Sequence, residues 1–173
     1  MPLVLAVVVA LIAGYTDWRY RRIPNWLTVP ACLVGIVVNT IIGGWGGLKA
    51  SLLGAGLGLV VLLPFVMLRS LGAGDWKLAG ALGAFVGWRI LADLLIYSIF
   101  IAGIMALALI VYKGRLKRSL HNIASMLASM ASFHMPGPEV SLDNPQALKV
   151  PYGVALAAAA IVFGVAKLWG VRG

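Results

Sequence analysis

Six stretches of this chain are apolar over most of a bilayer crossing, at about 2–16, 26–42, 48–68, 76–88, 90–112 and 151–169. A spanning helix needs about 20 mostly apolar residues. Runs such as Leu59-Val60-Val61-Leu62-Leu63 are apolar on every side, whereas barrel strands alternate apolar and polar over about 10 residues. The expected fold is therefore an all-α, polytopic membrane protein with about six transmembrane helices. Composition agrees, with 62% hydrophobic and 11% charged residues, against about 25% charged in an ordinary soluble domain. So little polar surface cannot cover a soluble core. That excludes a soluble enzyme, a disordered chain and a nucleic-acid-binding module. The 173 residues are expected to form a single membrane domain.

The net charge of +9 sets orientation rather than a nucleic-acid partner. With the amino terminus placed outside, the first, third and fifth connections become cytoplasmic. They carry Arg19, Arg21, Arg22, Arg69, Lys77, Lys113, Arg115, Lys117, Arg118 and Lys149, leaving Lys49, Arg89, Lys167 and Arg172 for the other side. That asymmetry satisfies the positive-inside bias, with anionic lipid as the partner of the basic face. The first segment has the length of a signal peptide. Its basic residues, however, follow the apolar run instead of preceding it, which is the reverse of a secretory leader. It is expected to stay as a membrane helix.

Small residues four apart, Gly54 and Gly58, Gly80 and Ala84, Gly83 and Gly87, predict close helix packing. Pro64 lies inside the third segment and is a candidate kink. The only long connection, 113–150, opens with basic residues. It continues with Leu120, Ile123, Leu127 and Met130 at spacings of three and four. This pattern predicts a cytoplasmic loop carrying an amphipathic helix in the interface, either a lid or substrate platform or a tethered surface helix.

Five acidic residues can be weighed one by one. Glu139 and Asp143 fall in the long loop, and Asp93 lies near Arg89, where a local ion pair accounts for it. Asp17 and Asp75 stand at one membrane face, at or near the ends of apolar segments. Ionisable residues there are rare and usually functional. Asp75 follows Gly72-Ala73-Gly74 and precedes Trp76-Lys77. One reading is a capped helix start after a flexible turn. The segment that follows is too short for the hydrocarbon layer, at about 20 Å against roughly 30 Å, which brings water to the acid. Asp17 opens a stretch with Trp18, Tyr20 and Trp26 that reads as an interfacial belt. The belt leaves the acid and the Ile23-Pro24-Asn25 turn unexplained.

Two nearby carboxyls resist double ionisation, so one activates water while the other polarises a carbonyl. That is aspartic-type hydrolysis, with no metal or cofactor. His121 and His134 are too far apart and too isolated for a metal site, Cys32 is the only cysteine, and no Gly-x-Ser-x-Gly elbow is present.

Taken together, Asp17 with Ile23-Pro24-Asn25 and the run Gly72-Ala73-Gly74-Asp75-Trp76-Lys77 resemble the two signatures of type IV prepilin peptidases. These are GxGD-type intramembrane aspartyl proteases. Pro151-Tyr152-Gly153-Val154-Ala155 is similar to the opening of the last helix in short members. The resemblance implies catalytic roles for Asp17 and Asp75, a shaping role for Gly72 and Gly74, and substrate-binding or site-shaping roles for Pro24, Asn25 and Lys77, the last either tuning the pair's protonation or contacting substrate. It implies a prepilin or pseudopilin helix as substrate, cut at the cytoplasmic face of the inner membrane. Longer members carry an insertion with Cys pairs between the first two helices and also methylate. Here that connection is short, so the chain resembles the short peptidases of tight-adherence (Flp-type) pili, with archaeal preflagellin peptidases as relatives in pattern. Two other classes stay open. One is a non-catalytic transporter or assembly subunit using Asp17 and Asp75 as a proton or cation site. The other is a protease of the same type for other membrane substrates.

Overall fold

The computed structural model describes residues 2–68, 70–114, 150–168 and 170. Their elements are α1 (Pro2–Tyr20), α2 (Asn25–Met67), α3 (Ala73–Tyr112) and α4 (Tyr152–Leu168), with no strand among them. The first three are long and apolar enough to cross a membrane, and α4 is a shorter apolar helix. The amphipathic helix expected within 113–150, and His121 and His134, lie outside the described residues.

The expected boundaries between segments two and three, and four and five, are breaks inside continuous helices. A straight helix of 43 residues would run about 65 Å, twice the hydrocarbon thickness. It does not run straight. Gly44 leaves helical geometry at φ 55° and ψ −137°, and Gly47 comes to rest against the Asn39 carbonyl. Likewise α3, with 40 residues, breaks at Gly87 (φ 76°, ψ 172°), and Gly83 meets the side chain of Leu91. Both helices double back on themselves. Positive φ is nearly free only for glycine, so these two residues make the hairpins. Pro64 does not: it sits within α2, where its carbonyl accepts the Leu68 N–H at 2.9 Å.

The first half of α3 (73–86) is the core strut of the molecule. Leu78, Ala79, Ala81, Leu82 and Ala84 are fully buried. Both halves of α2 pack along it through small residues. Gly35 faces Ala84 and Phe85, Gly54 faces Gly83 and Gly87, and Gly58 faces Ala79 and Gly80. A Cβ on Gly58 would lie 2.7 Å from backbone atoms of Ala79, which cannot swing away as a side chain can. Such close approach is how helices gain dispersion energy in lipid.

A helix broken inside a packed bundle leaves buried carbonyls without partners. At the Gly87 break these are taken by side chains from both halves of α2. Asn39 Nδ2 donates to the Ala84 and Phe85 carbonyls at 2.7 and 2.8 Å, and Ser51 Oγ donates to Ala84 at 2.6 Å. At the other end of the strut, Trp76 Nε1 donates to the Leu59 carbonyl at 2.6 Å.

The remaining helices close the bundle. Helix α1 buries Ala6, Ala10, Ala13, Gly14 and Asp17, one stripe at spacings of three and four. That stripe meets α4, where Gly14 packs on Ala157. Helix α4 also packs on α3. Asp93 is exposed, and Arg89 lies over the Trp88 ring at 5.1 Å in place of the expected ion pair.

Candidate active site

Each segment that the sequence singled out ends at the same end of the bundle. Asp17 lies in the last turn of α1, inside the helix rather than after it. It is only 7% exposed, because it continues the buried alanine stripe. The helix stops at Arg21, whose φ of 54° is a left-handed closure with its N–H on the Asp17 carbonyl at 2.8 Å. The residue before a proline is pushed out of helical geometry. Ile23 accordingly lies outside both helices, and Pro24, at φ −75° and ψ 146°, is the extended N-cap of α2. Only residues 21–24 join α1 to α2.

Asp75 is the third residue of α3, not its N-cap. That place belongs to Gly72, which is extended and has no side-chain cap. Asp75 Oδ2 comes within 3.1 Å of where a Gly72 Cβ would stand, so its carboxyl folds back over the turn. Gly74 lies on Ile23, with the Ile23 Cβ, O and N at 3.0, 3.2 and 3.3 Å from its absent Cβ. The Ile-Pro-Asn turn and the Gly-Ala-Gly-Asp turn therefore pack backbone to backbone. Lys77 Nζ donates to Asn25 Oδ1 at 3.0 Å, an exposed clasp between the same two turns. Of the expected site residues, Asp17, Asp75, Gly72, Gly74, Pro24, Asn25 and Lys77 all fall in this one cluster.

The sequence reading gave no role to the residue where the acids meet. Gly153, in the first turn of α4, has Asp17 Oδ2 at 2.9 Å and Asp75 Oδ1 at 3.1 Å from its absent Cβ, with Ile23 Cδ1 at 2.7 Å. Those two oxygens and Thr28 Oγ1 are the buried side-chain polar atoms without a hydrogen-bond partner among the described residues. Backbone at two helix starts supplies polar surroundings: Gly153 and Val154 toward Asp17, Gly153 and Gly72 toward Asp75. A helix N-terminus favours negative charge. Alongside, Ser98 Oγ donates to the Leu95 carbonyl at 2.8 Å and so accepts the Tyr152 hydroxyl proton at 2.7 Å. That bond ties the head of α4 to the second half of α3.

Two carboxyls held together inside an apolar helical bundle, each with one unpaired oxygen, define a membrane protein with an acid-pair site. Residues 4–107 match the family model of the type IV leader peptidase family, and the chain belongs to that family. The matched residues include both acids and both turns but not Gly153. Similar proteins include the prepilin leader peptidase/N-methyltransferase of Aeromonas hydrophila, 33% identical over 115 residues, 62% of this chain and 39% of that one. The protein of the same description from Burkholderia pseudomallei (strain K96243) is 32% identical over 108 residues, 58% of this chain and 34% of its own length. That of Myxococcus xanthus (strain DK1622) is 27% identical over 125 residues, 66% of this chain and 36% of its own. The chain thus spans well under half the length of these relatives. No solved structure matches it. Long apolar helices and the family together make it a multi-pass membrane protein.

Proposed function

We propose that this chain is an intramembrane aspartyl endopeptidase that removes the leader peptide of type IV prepilin-like precursors, with Asp17 and Asp75 as its catalytic pair. The observation that carries this reading is the meeting of two unpaired, buried carboxyl oxygens at Gly153. Native structures pair their buried polar groups, and an unpaired group is costly unless it serves another purpose.

The chemistry follows from two carboxyls sharing one proton. The ionised acid takes a proton from a water as that water's oxygen attacks the scissile carbonyl carbon. The protonated acid gives its proton to the carbonyl oxygen. The tetrahedral intermediate then collapses, the C–N bond breaks, and the amine nitrogen leaves with a proton from the pair. The apolar bundle supplies a dry site in which these transfers are strong. The substrate is a prepilin helix entering beside the 72–75 and 21–25 turns, on the cytoplasmic side of the inner membrane, where basic residues concentrate.

The relatives' description includes an N-methyltransferase. The four-residue link from α1 to α2 and the single cysteine favour a peptidase without that second activity, of the Flp-pilus kind. The test is cleavage of a co-expressed Flp-type prepilin, with the new amino terminus confirmed by mass. Wild type and Asp93→Ala are expected to cut, while Asp17→Ala and Asp75→Ala at equal membrane levels do not. Cleavage persisting without either acid overturns the mechanism. A methylated product overturns the second point.

A further inference from the structure

We propose that Gly153 is a positioning residue for the acid pair: by carrying no side chain it lets α4 close over both carboxyls and lets them reach a common water. Three segments converge on this residue. They are the end of α1 through Asp17, the following turn through Ile23, and the start of α3 through Asp75, at 2.9, 2.7 and 3.1 Å from the absent Cβ. The two acid oxygens lie no further from each other than the sum of their distances to that point. Neither has a hydrogen-bond partner among the described residues. A water bridging them gains two acceptors beside the Ile23 side chain, and a buried water needs two to four such partners. A methyl group on residue 153 would take the same volume. It would press on both oxygens as a wedge, forcing the acids apart or α4 away.

The neighbours hold Gly153 in this place. Pro151 is buried and precedes the helix, its carbonyl accepting the Val154 N–H at 3.2 Å. Tyr152 is bonded to Ser98 at 2.7 Å, and one turn past Gly153 Ala157 presses on Gly14 of α1. Helix α4 is thus fixed on both sides of Gly153 and cannot retreat without breaking these contacts. Ile23 Cδ1 is the free end of a flexible side chain and can yield. The two carboxyl oxygens, at 2.9 and 3.1 Å, are the other atoms a Cβ would displace.

This assignment rests on the peptidase reading for its catalytic consequence, but the contact itself is testable without it. In detergent micelles, the thermal midpoint of Gly153→Ala is measured in the wild-type chain and in the Asp17→Ala chain. If the methyl meets the carboxyls, the drop in midpoint is smaller in the Asp17→Ala background by at least about 2 °C, a coupling typical of residues in contact. A Gly153→Ala chain that folds only in the Asp17→Ala background gives the same answer. An equal drop in both backgrounds, or failure to fold in both, overturns the proposal, since the methyl then meets something else. The second arm is cleavage of a purified Flp-type prepilin. Gly153→Ala is expected to lose about 100-fold in kcat with KM little changed, as displacement of a catalytic group by about 1 Å does. Activity within threefold of wild type overturns the positioning role. If wild type itself cuts nothing, the peptidase reading fails while the stability arm still decides the contact.

Discussion

The two ends of the 73–86 strut treat buried polar atoms in opposite ways. At the Gly87 end, the helix break frees backbone carbonyls of buried residues, and Asn39 and Ser51 reach them at 2.6–2.8 Å. At the Asp75 end, two carboxyl oxygens are buried around Gly153 with no partner among the described residues. Both ends sit among small residues and glycine turns. One end has been satisfied, and its polar side chains are structural. The other has been left open, and it is the end where the expected site residues converge. Polarity in an apolar bundle is therefore not itself a mark of function; two ionisable groups with unmet hydrogen-bonding capacity at one place are the better one, whereas a lone unpaired hydroxyl such as Thr28 Oγ1 is not. Unmet groups of this kind are tolerated where chemistry uses them, at a cost in stability.

Changes at the two ends should therefore separate activity from stability. The largest effect is expected from Asp17→Asn or Asp75→Asn, each removing about 10³-fold or more of cleavage without lowering the thermal midpoint. A cleavage assay beside a thermal scan reads both. Next comes the strut itself. Gly58→Leu puts a side chain into the Ala79 backbone and should cost more than about 3 kcal/mol, seen as loss of folded protein in detergent. Asn39→Leu leaves the Phe85 carbonyl without its donor, while Ala84 keeps Ser51, and should cost about 1–3 kcal/mol, with cleavage per folded molecule preserved. The smallest effect is expected from Lys77→Gln. Its clasp to Asn25 is exposed, so stability should change by no more than about 0.5 kcal/mol. Any change in cleavage should appear in KM, because the clasp lies at the rim. A large kcat loss there would move Lys77 into the chemistry.

Much of this was legible in the sequence, for identifiable reasons. Apolar runs give the helices. Glycine pairs at a spacing of four give their contact faces. An acid among so few draws notice because burial is expensive. Even the inward direction of Asp17 was readable, since it extends the stripe of Ala6, Ala10 and Ala13. Other features depend on the assembled fold. Pro64 carries the stronger breaking signal in sequence, yet the chain turns at Gly44 and Gly87. A neighbouring turn can satisfy the groups a proline frees, whereas a reversal needs positive φ. Asn39 and Ser51 look like stray polar residues until the broken carbonyls stand beside them. Gly153 is one of 21 glycines, and only the convergence of Asp17, Ile23 and Asp75 on it sets it apart.

One measurement bears most directly on the acid pair as a working site left unsatisfied by design of the fold. Purified wild type, Asp17→Asn, Asp75→Asn and Asn39→Leu are compared for prepilin cleavage per folded molecule and for thermal midpoint. The expected result is that both Asp variants are inactive at a midpoint equal to or above wild type, while Asn39→Leu is less stable and still cuts. An Asp variant that cuts at the wild-type rate, or that loses as much stability as Asn39→Leu, would contradict it and make the acids structural.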